Sequence, residues 1–239
     1  MKRYFSTIKQ YSWVLLACTL LAAIAGVVVS KGQAAVYQAP SVLLVQVGVP
    51  GTTYPGGPSA GSTSTESLGQ ALNYAAEIQS RSVMQYVENL DPQLKQRGFT
   101  TEDLLLDVIP STSTTAATIT LLASANHPSD AILLTNDVAN GFAAYRQAQA
   151  QKQLDASRTN LSNQINSLQQ QKAKWEAAIE ALPNNTVPQY AVDNNNLASV
   201  STAINTLQAQ LDALPATVEG DVFVIQQATQ ADVTTSPKG

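Results

Sequence analysis

Residues able to carry out chemistry are scarce in this sequence. It has one cysteine, Cys18, which lies within an apolar run, and one histidine, His127, which precedes Pro128 where a helix is expected to start. A metal site or an acid–base pair needs further groups of these types close by, and neither residue type recurs. Helix initiation at the proline explains the position of His127. We therefore predict that neither residue takes part in catalysis.

The carboxylates are no better candidates. Four acids each fall in the first turn of a predicted helix, where the positive end of the helix dipole stabilises a negative charge: Glu66, Glu102, Asp103 and Asp130. The Gly- and Pro-rich stretch 50–62 lacks the lysine that a phosphate-binding loop requires. The sequence thus predicts a protein that is not an enzyme and has no catalytic residue, no cofactor and no metal site.

The charge distribution argues against a nucleic-acid partner. The net charge is -4, only 13% of the residues are charged, and Lys and Arg form no cluster after Lys9. Nucleic-acid backbones bind surfaces on which cations are concentrated. The abundant Gln, Asn, Ser and Thr residues indicate a neutral polar surface instead.

A membrane anchor is predicted near the N-terminus. The segment Trp13–Val29 carries no charge, and residues 12–30 are just long enough to cross a hydrocarbon core of about 30 Å as a helix. Most nearby cations precede this segment, at Lys2, Arg3 and Lys9, and one follows it at Lys31. The positive-inside rule then places residues 1–11 in the cytoplasm and the rest of the chain beyond the cytoplasmic membrane.

A cleaved signal peptide is the alternative interpretation of the same segment. The charged start and apolar core are followed by Gly32, Gln33 and Ala34, which have the small-x-small pattern of a cleavage site. The length of the uninterrupted apolar stretch favours a retained helix over a signal core. Both interpretations place the bulk of the protein outside the cytoplasm.

A small base domain is predicted from residues 31–145 together with 216–230. Strands are expected at Tyr37–Val47, Thr118–Ala125 and Asp221–Ala228, where β-branched and apolar residues are enriched. Helices are expected to begin at Thr63, Thr100 and His127-Pro128, with the first ending at Asp91-Pro92 and the second stopped by Pro110. The tail, 231–239, has too few apolar residues to be expected to fold.

A coiled-coil hairpin is predicted over residues 146–215, because the broad apolar face becomes a narrow seam after Tyr145. Apolar residues then recur at alternating three- and four-residue steps in two arms, with skips at Arg158 and Lys172. A short Asn-rich turn separates the arms, which favours an antiparallel pair. The predicted seam residues are Leu154, Leu161, Ile165, Leu168, Trp175, Ile179, Leu182, Leu197, Val200, Ile204, Leu207, Leu211 and Leu214.

These elements together predict an α+β protein with an N-terminal transmembrane helix, a small mixed-sheet α/β base domain and a protruding antiparallel coiled-coil hairpin. This order resembles that of the bacterial chain-length determinant, or polysaccharide co-polymerase, family of the Wzz type. Short stretches of the sequence also resemble that family: Tyr37-Gln38-Ala39 leading to Leu43-Leu44-Val45, Glu77 to Val83, and His127-Pro128 through Ala131, Asn140 and Tyr145. The resemblance covers nearly the whole chain, and the arrangement carries more of it than any single motif.

The resemblance implies a non-enzymatic scaffold that forms a homo-oligomer in the cytoplasmic membrane. It implies a ring-like base from which the coiled coil rises, a polysaccharide polymerase as the working partner, and the polysaccharide itself and a separate cytoplasmic kinase as further partners. The closing segment Thr234–Lys238 resembles the stretch before that family's second transmembrane helix. We therefore expect either a chain truncated at that point or a single-span relative.

The alternative function is that of a periplasmic adaptor, or membrane fusion subunit, of an export pump. Adaptors also combine one N-terminal span with a helical hairpin and flanking strands. They place β half-motifs on both sides of the hairpin and a further β domain after it. Here one strand is expected after the hairpin and two helices before its first arm, which favours the scaffold.

Overall fold

The computed structural model describes residues 19, 35–46, 64–183 and 188–237. Its strands are β1 (Ala35–Val45), β2 (Val108–Thr112), β3 (Thr118–Ala125), β4 (Val222–Gln226) and β5 (Thr234–Pro237). Its helices are α1 (Ser64–Ile78), α2 (Arg81–Leu90), α3 (Pro92–Gln96), α4 (Thr101–Asp107), α5 (Pro128–Glu180) and α6 (Pro188–Asp212). A 3₁₀ turn at Gln230–Asp232 precedes β5. The predicted α+β class is confirmed for these residues.

The strands form one sheet in the order β2-β3-β1-β4, and β5 also pairs with β1. One edge of β1 pairs with β3, and its other edge is shared by β4 and β5. The predicted mixed sheet is wrong, since every described strand pair is antiparallel. The helices after β1 lead to β2, and those after β3 lead to β4, each time two places away in the sheet. The two strands joined in this way are parallel, and an antiparallel strand lies between them. This is the split β-α-β-β-α-β arrangement of ferredoxin-like folds.

The core lies on one face of the sheet, against the helices. Along β1 the buried residues alternate, with Leu43 and Val45 facing the helices, and Ile119 and Leu121 do the same on β3. Helix α5 covers this face with its first four turns, and its contributions to the core include Leu134, Val138 and Phe142. The period of two in the strands and of three to four in α5 thus places both apolar sets in one layer.

Helices α2 and α5 approach each other closely at a glycine. A Cβ built on Gly141 of α5 would lie 2.7 Å from Cγ2 of Val87 on α2. Any side chain at this position would collide with a fully buried valine, so the packing distance of the two helices depends on the absence of a side chain there.

The helical boundaries differ from those predicted between residues 63 and 110. One helix was expected up to Leu90, but the chain breaks after Ile78, and Ser80 starts a new helix by accepting a hydrogen bond from the backbone N–H of Val83. Asp91 then ends α2 and accepts from Gln93 N–H to begin α3, which was not predicted. These side chains offer the backbone a local alternative that apolar periodicity does not reveal.

Two strands were missed. Pro110 was expected only to stop a helix, but it lies in β2, which is at the edge of the sheet. An edge strand tolerates proline because one row of its N–H groups has no ladder partner. The prediction that the tail does not fold is wrong for Thr234–Pro237, which pairs with Ala35–Gln38 of β1. Strand pairing uses backbone groups, so a polar segment can join a sheet edge.

The predicted β3 boundaries are confirmed, and α5 begins with Pro128 at its first position, as expected. The predicted transmembrane segment, 12–30, lies outside the described residues apart from Thr19. Within the part of the chain that the structure describes, none of the helices has the length and apolar character needed to span a bilayer.

Candidate functional site

Helix α5 connects the base to the hairpin without a break. It runs over 53 residues, which at 1.5 Å per residue is a length of about 80 Å. The apolar pattern was expected to change from a broad face to a narrow seam after Tyr145, and the backbone stays helical through this position. The first arm of the hairpin is therefore a rigid continuation of a helix that is anchored in the core.

The second arm, α6, packs along α5. It has no comparably extensive contact with any other described element. The seam residues of the first arm that are closest to the base, Leu154, Leu161 and Ile165, are buried. The other predicted seam residues are half-buried: Leu168, Trp175, Ile179, Leu182, Leu197, Val200, Ile204, Leu207, Leu211 and Leu214.

The two arms are joined most tightly where they meet the base. Leu154 and Val218 form a small buried cluster to which Ala150 and Leu214 add. Arg158, one of the two seam skips, donates a hydrogen bond to the carbonyl oxygen of Pro215 at the end of the second arm. The guanidinium group thus satisfies a backbone acceptor just after α6, where the helix has left its last carbonyl groups without partners.

A polar cluster that the sequence reasoning missed lies at the junction of base and hairpin. Arg146 of α5 donates from Nη2 to Asp221 Oδ2 at 3.0 Å and from Nε to Oδ1 at 3.2 Å, and it donates from Nη1 to Glu77 Oε2 at 3.3 Å. Its Nη2 also donates to the Tyr74 hydroxyl oxygen at 2.6 Å. These bonds tie α1, α5 and the residue before β4 together.

Burial makes this junction cluster stronger than a surface ion pair. The side chains of Arg146 and Asp221 are only 20% and 18% exposed. Burial alone would lower the pKa of Arg146, but the hydrogen bonds and negative charge of Asp221 outweigh it and raise the pKa above its usual value. Burial, and the hydrogen bond that the Tyr74 hydroxyl donates to Asp221, raise the pKa of Tyr74 well above its ordinary range.

A row of aromatic rings continues from the junction cluster into the base. The ring centroids of Tyr74 and Phe142 are 6.0 Å apart, those of Phe142 and Tyr145 are 6.4 Å apart, and those of Tyr145 and Tyr86 are 5.4 Å apart. The row starts on α1, passes through two successive rings on α5 and ends on α2. It adds apolar contact and edge-to-face attraction at the point where the hairpin leaves the base.

The acids considered as catalytic candidates have structural partners. Asp103 forms a capping box with Thr100, whose hydrogen bonds lower the pKa of the Asp103 carboxyl. Glu102 pairs with Arg81 and Asp130 pairs with Arg97. Glu66 lies in the first turn of α1, and Thr63, the residue expected to cap it, is outside the described residues.

His127 takes the position before the first turn of α5 and its side chain makes no capping hydrogen bond. Among the described residues no group of three or more His, Cys, Asp or Glu side chains is placed to hold a metal ion. In the described part of the chain, the acids and the histidine considered above therefore do not form a shared site. The groups that the structure does bring together are those of the junction cluster and the seam.

Comparison with known proteins gives a partial likeness among solved structures. No protein-family model matches the sequence, and no curated protein matches it. Among solved structures, a point-mutant form of the lipopolysaccharide O-antigen chain-length regulator of Shigella flexneri matches with 10% sequence identity and a TM-score of 0.34. The match covers 82% of this chain and 97% of that one. At this TM-score the likeness assigns neither a family nor a function.

Proposed function

We propose that this protein is a non-enzymatic scaffold that regulates the chain length of a cell-surface polysaccharide. In this proposal residues 12–30 anchor it in the cytoplasmic membrane, with the base and hairpin outside the cytoplasm. Several copies assemble and act together with a polysaccharide polymerase. The proposal places the chain with the Wzz-type chain-length determinants that its sequence resembles.

One observation carries this proposal: a single helix runs from the core of the base to the end of the first hairpin arm. Such a helix fixes the direction in which the hairpin leaves the base over more than about 50 Å, since its part beyond residue 145 has 35 residues. The junction cluster around Arg146 and the contacts of Leu154 hold that direction. A rigid projection of this kind suits a spacer or an assembly surface better than an enzyme, whose reacting groups must converge.

The adaptor function receives less support. Two strands, β4 and β5, follow the hairpin where one was expected, so the number of strands no longer argues against an adaptor. The stronger reason is the first arm, which begins inside the core of a helix-covered sheet. An arm that is continuous with a core helix differs from one that is inserted between two β half-motifs.

The test is the length distribution of the surface polysaccharide in the host after deletion and complementation. We expect deletion to change the distribution without stopping sugar synthesis. Leu161→Asp, which puts a charge in the buried part of the seam, should fail to restore the normal distribution. Asn163→Asp, two residues away on the exposed side of the same helix, should restore it.

Single substitutions of the acids and the histidine complete the test. Glu66→Ala, Asp103→Ala and His127→Ala should each leave the distribution nearly unchanged, because a scaffold needs no reacting side chain. If one of them abolished the polymer in a protein that remained folded and inserted, an enzymatic function would replace the scaffold.

A further inference from the structure

One edge of the central strand β1 has a gap between its two partners. On this edge residues 42–45 pair with β4 and residues 35–38 pair with β5. Of the strands that the structure describes, none lies beside residues 39–41 on this edge. The edge therefore consists of two separate ladders, and the pairing of β5 does not continue that of β4.

Pro40 lies in this gap and leaves no donor unpaired there. The backbone N–H of Val45 points to the opposite edge of β1, where it donates to the carbonyl oxygen of Ala117 at 2.8 Å. Because N–H groups alternate between the two edges of a strand, those of Val36 and Gln38 point to β5, and position 40 points into the gap. Proline has no N–H, so the gap costs no hydrogen bond at this position.

The side chain of Asn136, on α5, takes the place of a strand beside the gap. Its Oδ1 accepts from the backbone N–H of Ala228 at 2.8 Å, and its Nδ2 donates to the carbonyl oxygen of the same residue at 3.0 Å. The hydroxyl oxygen of Ser41, a fully buried residue in the gap, lies 2.8 Å from the same Oδ1 and 3.2 Å from the carbonyl oxygen of Gln226. One amide group thus satisfies both backbone groups of Ala228, as a strand partner would.

A turn leads from Ala228 into β5. Asp232 Oδ2 accepts hydrogen bonds from the backbone N–H of Thr229 at 2.9 Å and from the Thr229 hydroxyl at 2.7 Å. We call residues 229–237, the turn and β5 together, the strap. Because the turn is held by its own residues, its shape does not depend on the pairing of β5.

The strap is attached to the base mainly through its backbone. Among the strap side chains that the structure describes none is buried, and Val233 is half-buried against a small alanine cluster outside the main core. Alternation gives β5 two hydrogen-bonded pairs with β1, namely Val36 with Ser236 and Gln38 with Thr234. A segment with few buried apolar contacts opens at a lower free energy than the core does.

β5 also holds the start of β1 in the sheet. The pairing of β3 with β1 begins at Tyr37. Of the described strands, β5 alone pairs with Ala35 and Val36. Release of β5 frees these two residues, which lengthens the connection towards residues 12–30 by about 7 Å at about 3.3 Å per residue.

We propose that the strap is a releasable conformational element and that Asn136 is the positioning residue that holds it on the base. When the strap is bound, β1 is ordered from Ala35. When it is released, β1 begins at Tyr37, while β4 and the helices stay in place. In the proposed function, on which this consequence rests, residues 12–30 anchor the chain, so release lets the base move away from the membrane. Because Asn136 belongs to the helix that forms the first hairpin arm, one side chain links the hairpin to the strap.

Native-state hydrogen exchange of the full chain in mild detergent, followed residue by residue, tests the release. We expect the amides of Val36 and Ser236 to exchange at least about tenfold faster than that of Leu121 in β3. Their exchange rates should also depend less steeply on urea, because opening of the strap exposes little surface. The same steep urea dependence for all three amides would mean that the strap opens only when the base unfolds, and this overturns the proposal.

Substitution on α5 tests the role of the amide. Asn136→Ala should leave Ser236 with almost no protection from exchange, while Leu121 should still exchange at least about a hundredfold more slowly. Asn140→Ala, one turn further along α5 at an exposed position, is the matched control and should leave both amides as they were. The proposal is overturned if Asn136→Ala leaves Ser236 fully protected. It is also overturned if Leu121 loses its protection together with Ser236, since Asn136 would then support the whole base.

The outcomes separate this proposal from the proposed function. If deletion in the host leaves polymer length unchanged while Val36 and Ser236 exchange through a local opening, the strap stands and the polysaccharide function falls. If deletion alters polymer length while these amides exchange only on global unfolding, the scaffold stands and the strap falls.

Discussion

The base and the hairpin are built around the same helix but hold it in different ways. In the base, Leu134 and Phe142 of α5 are fully buried in the core that the sheet and the helices share. Beyond Ile165, α6 is the described element that packs along α5, and every predicted seam residue on this part of α5 is half-buried. A helix pair can bury one stripe, whereas a helix on a sheet with neighbours buries a broad face. The comparison indicates that stability resides in the base and that the hairpin depends on being continuous with it.

The largest expected difference comes from the same substitution placed in each region. Leu134→Ala removes a fully buried side chain and should lower the free energy of unfolding by about 3 to 5 kcal/mol. Leu207→Ala removes a half-buried one and should lower it by about 1 to 2 kcal/mol, because the pair can close around the gap. Urea unfolding of the full chain, followed by circular dichroism, measures both.

Gln208→Ala is the matched control in the hairpin, since Gln208 is exposed and follows Leu207 directly. It should change the free energy of unfolding by a few tenths of a kcal/mol at most. Trp175, one of the predicted seam residues, reports on the hairpin by fluorescence in a Trp13→Phe background. Equal effects of Leu207→Ala and Gln208→Ala would show that the heptad assignment of the second arm is wrong.

The junction cluster determines how firmly the two regions are coupled. Arg146→Gln leaves Asp221 and Glu77 without their cation in a site of low exposure, and should cost about 2 to 4 kcal/mol. Arg81→Gln breaks an ion pair in which both side chains are more than half exposed, and should cost almost nothing. The same urea titration measures both variants, and similar losses from the two would contradict a special role for the junction.

The sequence predicts the parts of this comparison that depend on local periodicity. The boundaries of β3 and the start of α5 follow from alternation and from Pro128. The junction cluster joins Arg146 to Asp221, which lies 75 residues away, and no local pattern encodes such a contact. One signal was present: Arg146 follows Phe142 by four residues, which puts a cation on the buried face of α5. Such a charge requires a partner.

Other misses have a similar origin. The strand β5 pairs with Ala35–Gln38 of β1, whose backbone groups β4 does not use. Side-chain composition does not show which backbone groups of a strand are left for pairing. The break between α1 and α2 depends on the single hydroxyl of Ser80. Rows of side chains that cross several strands, such as Ile109, Leu122 and Pro40, follow from the register of the sheet, which the sequence of a single strand does not encode.

The smallest expected effect concerns pH, and it belongs to the base alone. One carboxylate oxygen of Asp137, on α5, is buried without a hydrogen-bond partner. Burial, and then the negative charge of the nearby Asp91, raise the pKa of Asp137 to about 6, and Arg97 opposes this only in part. Between about pH 4 and pH 6 the folded chain therefore holds a proton on Asp137 that the unfolded chain has already lost.

Because the folded state binds more protons in that window, this contribution to stability is fully present below about pH 4 and is lost as the pH rises through about 6. The loss should be about 1 to 2 kcal/mol, less than the whole shift would give, because solvent still reaches part of the side chain. Asp137→Asn removes the titrating group, so relative to the unsubstituted chain it should gain that amount of stability between pH 4 and pH 7. Asp212→Asn, at an exposed position at the end of α6 in the hairpin, should show no such gain. Urea unfolding at both pH values decides between them, and a pH-independent difference for Asp137→Asn would mean that Asp137 is ionised in the folded base throughout this range.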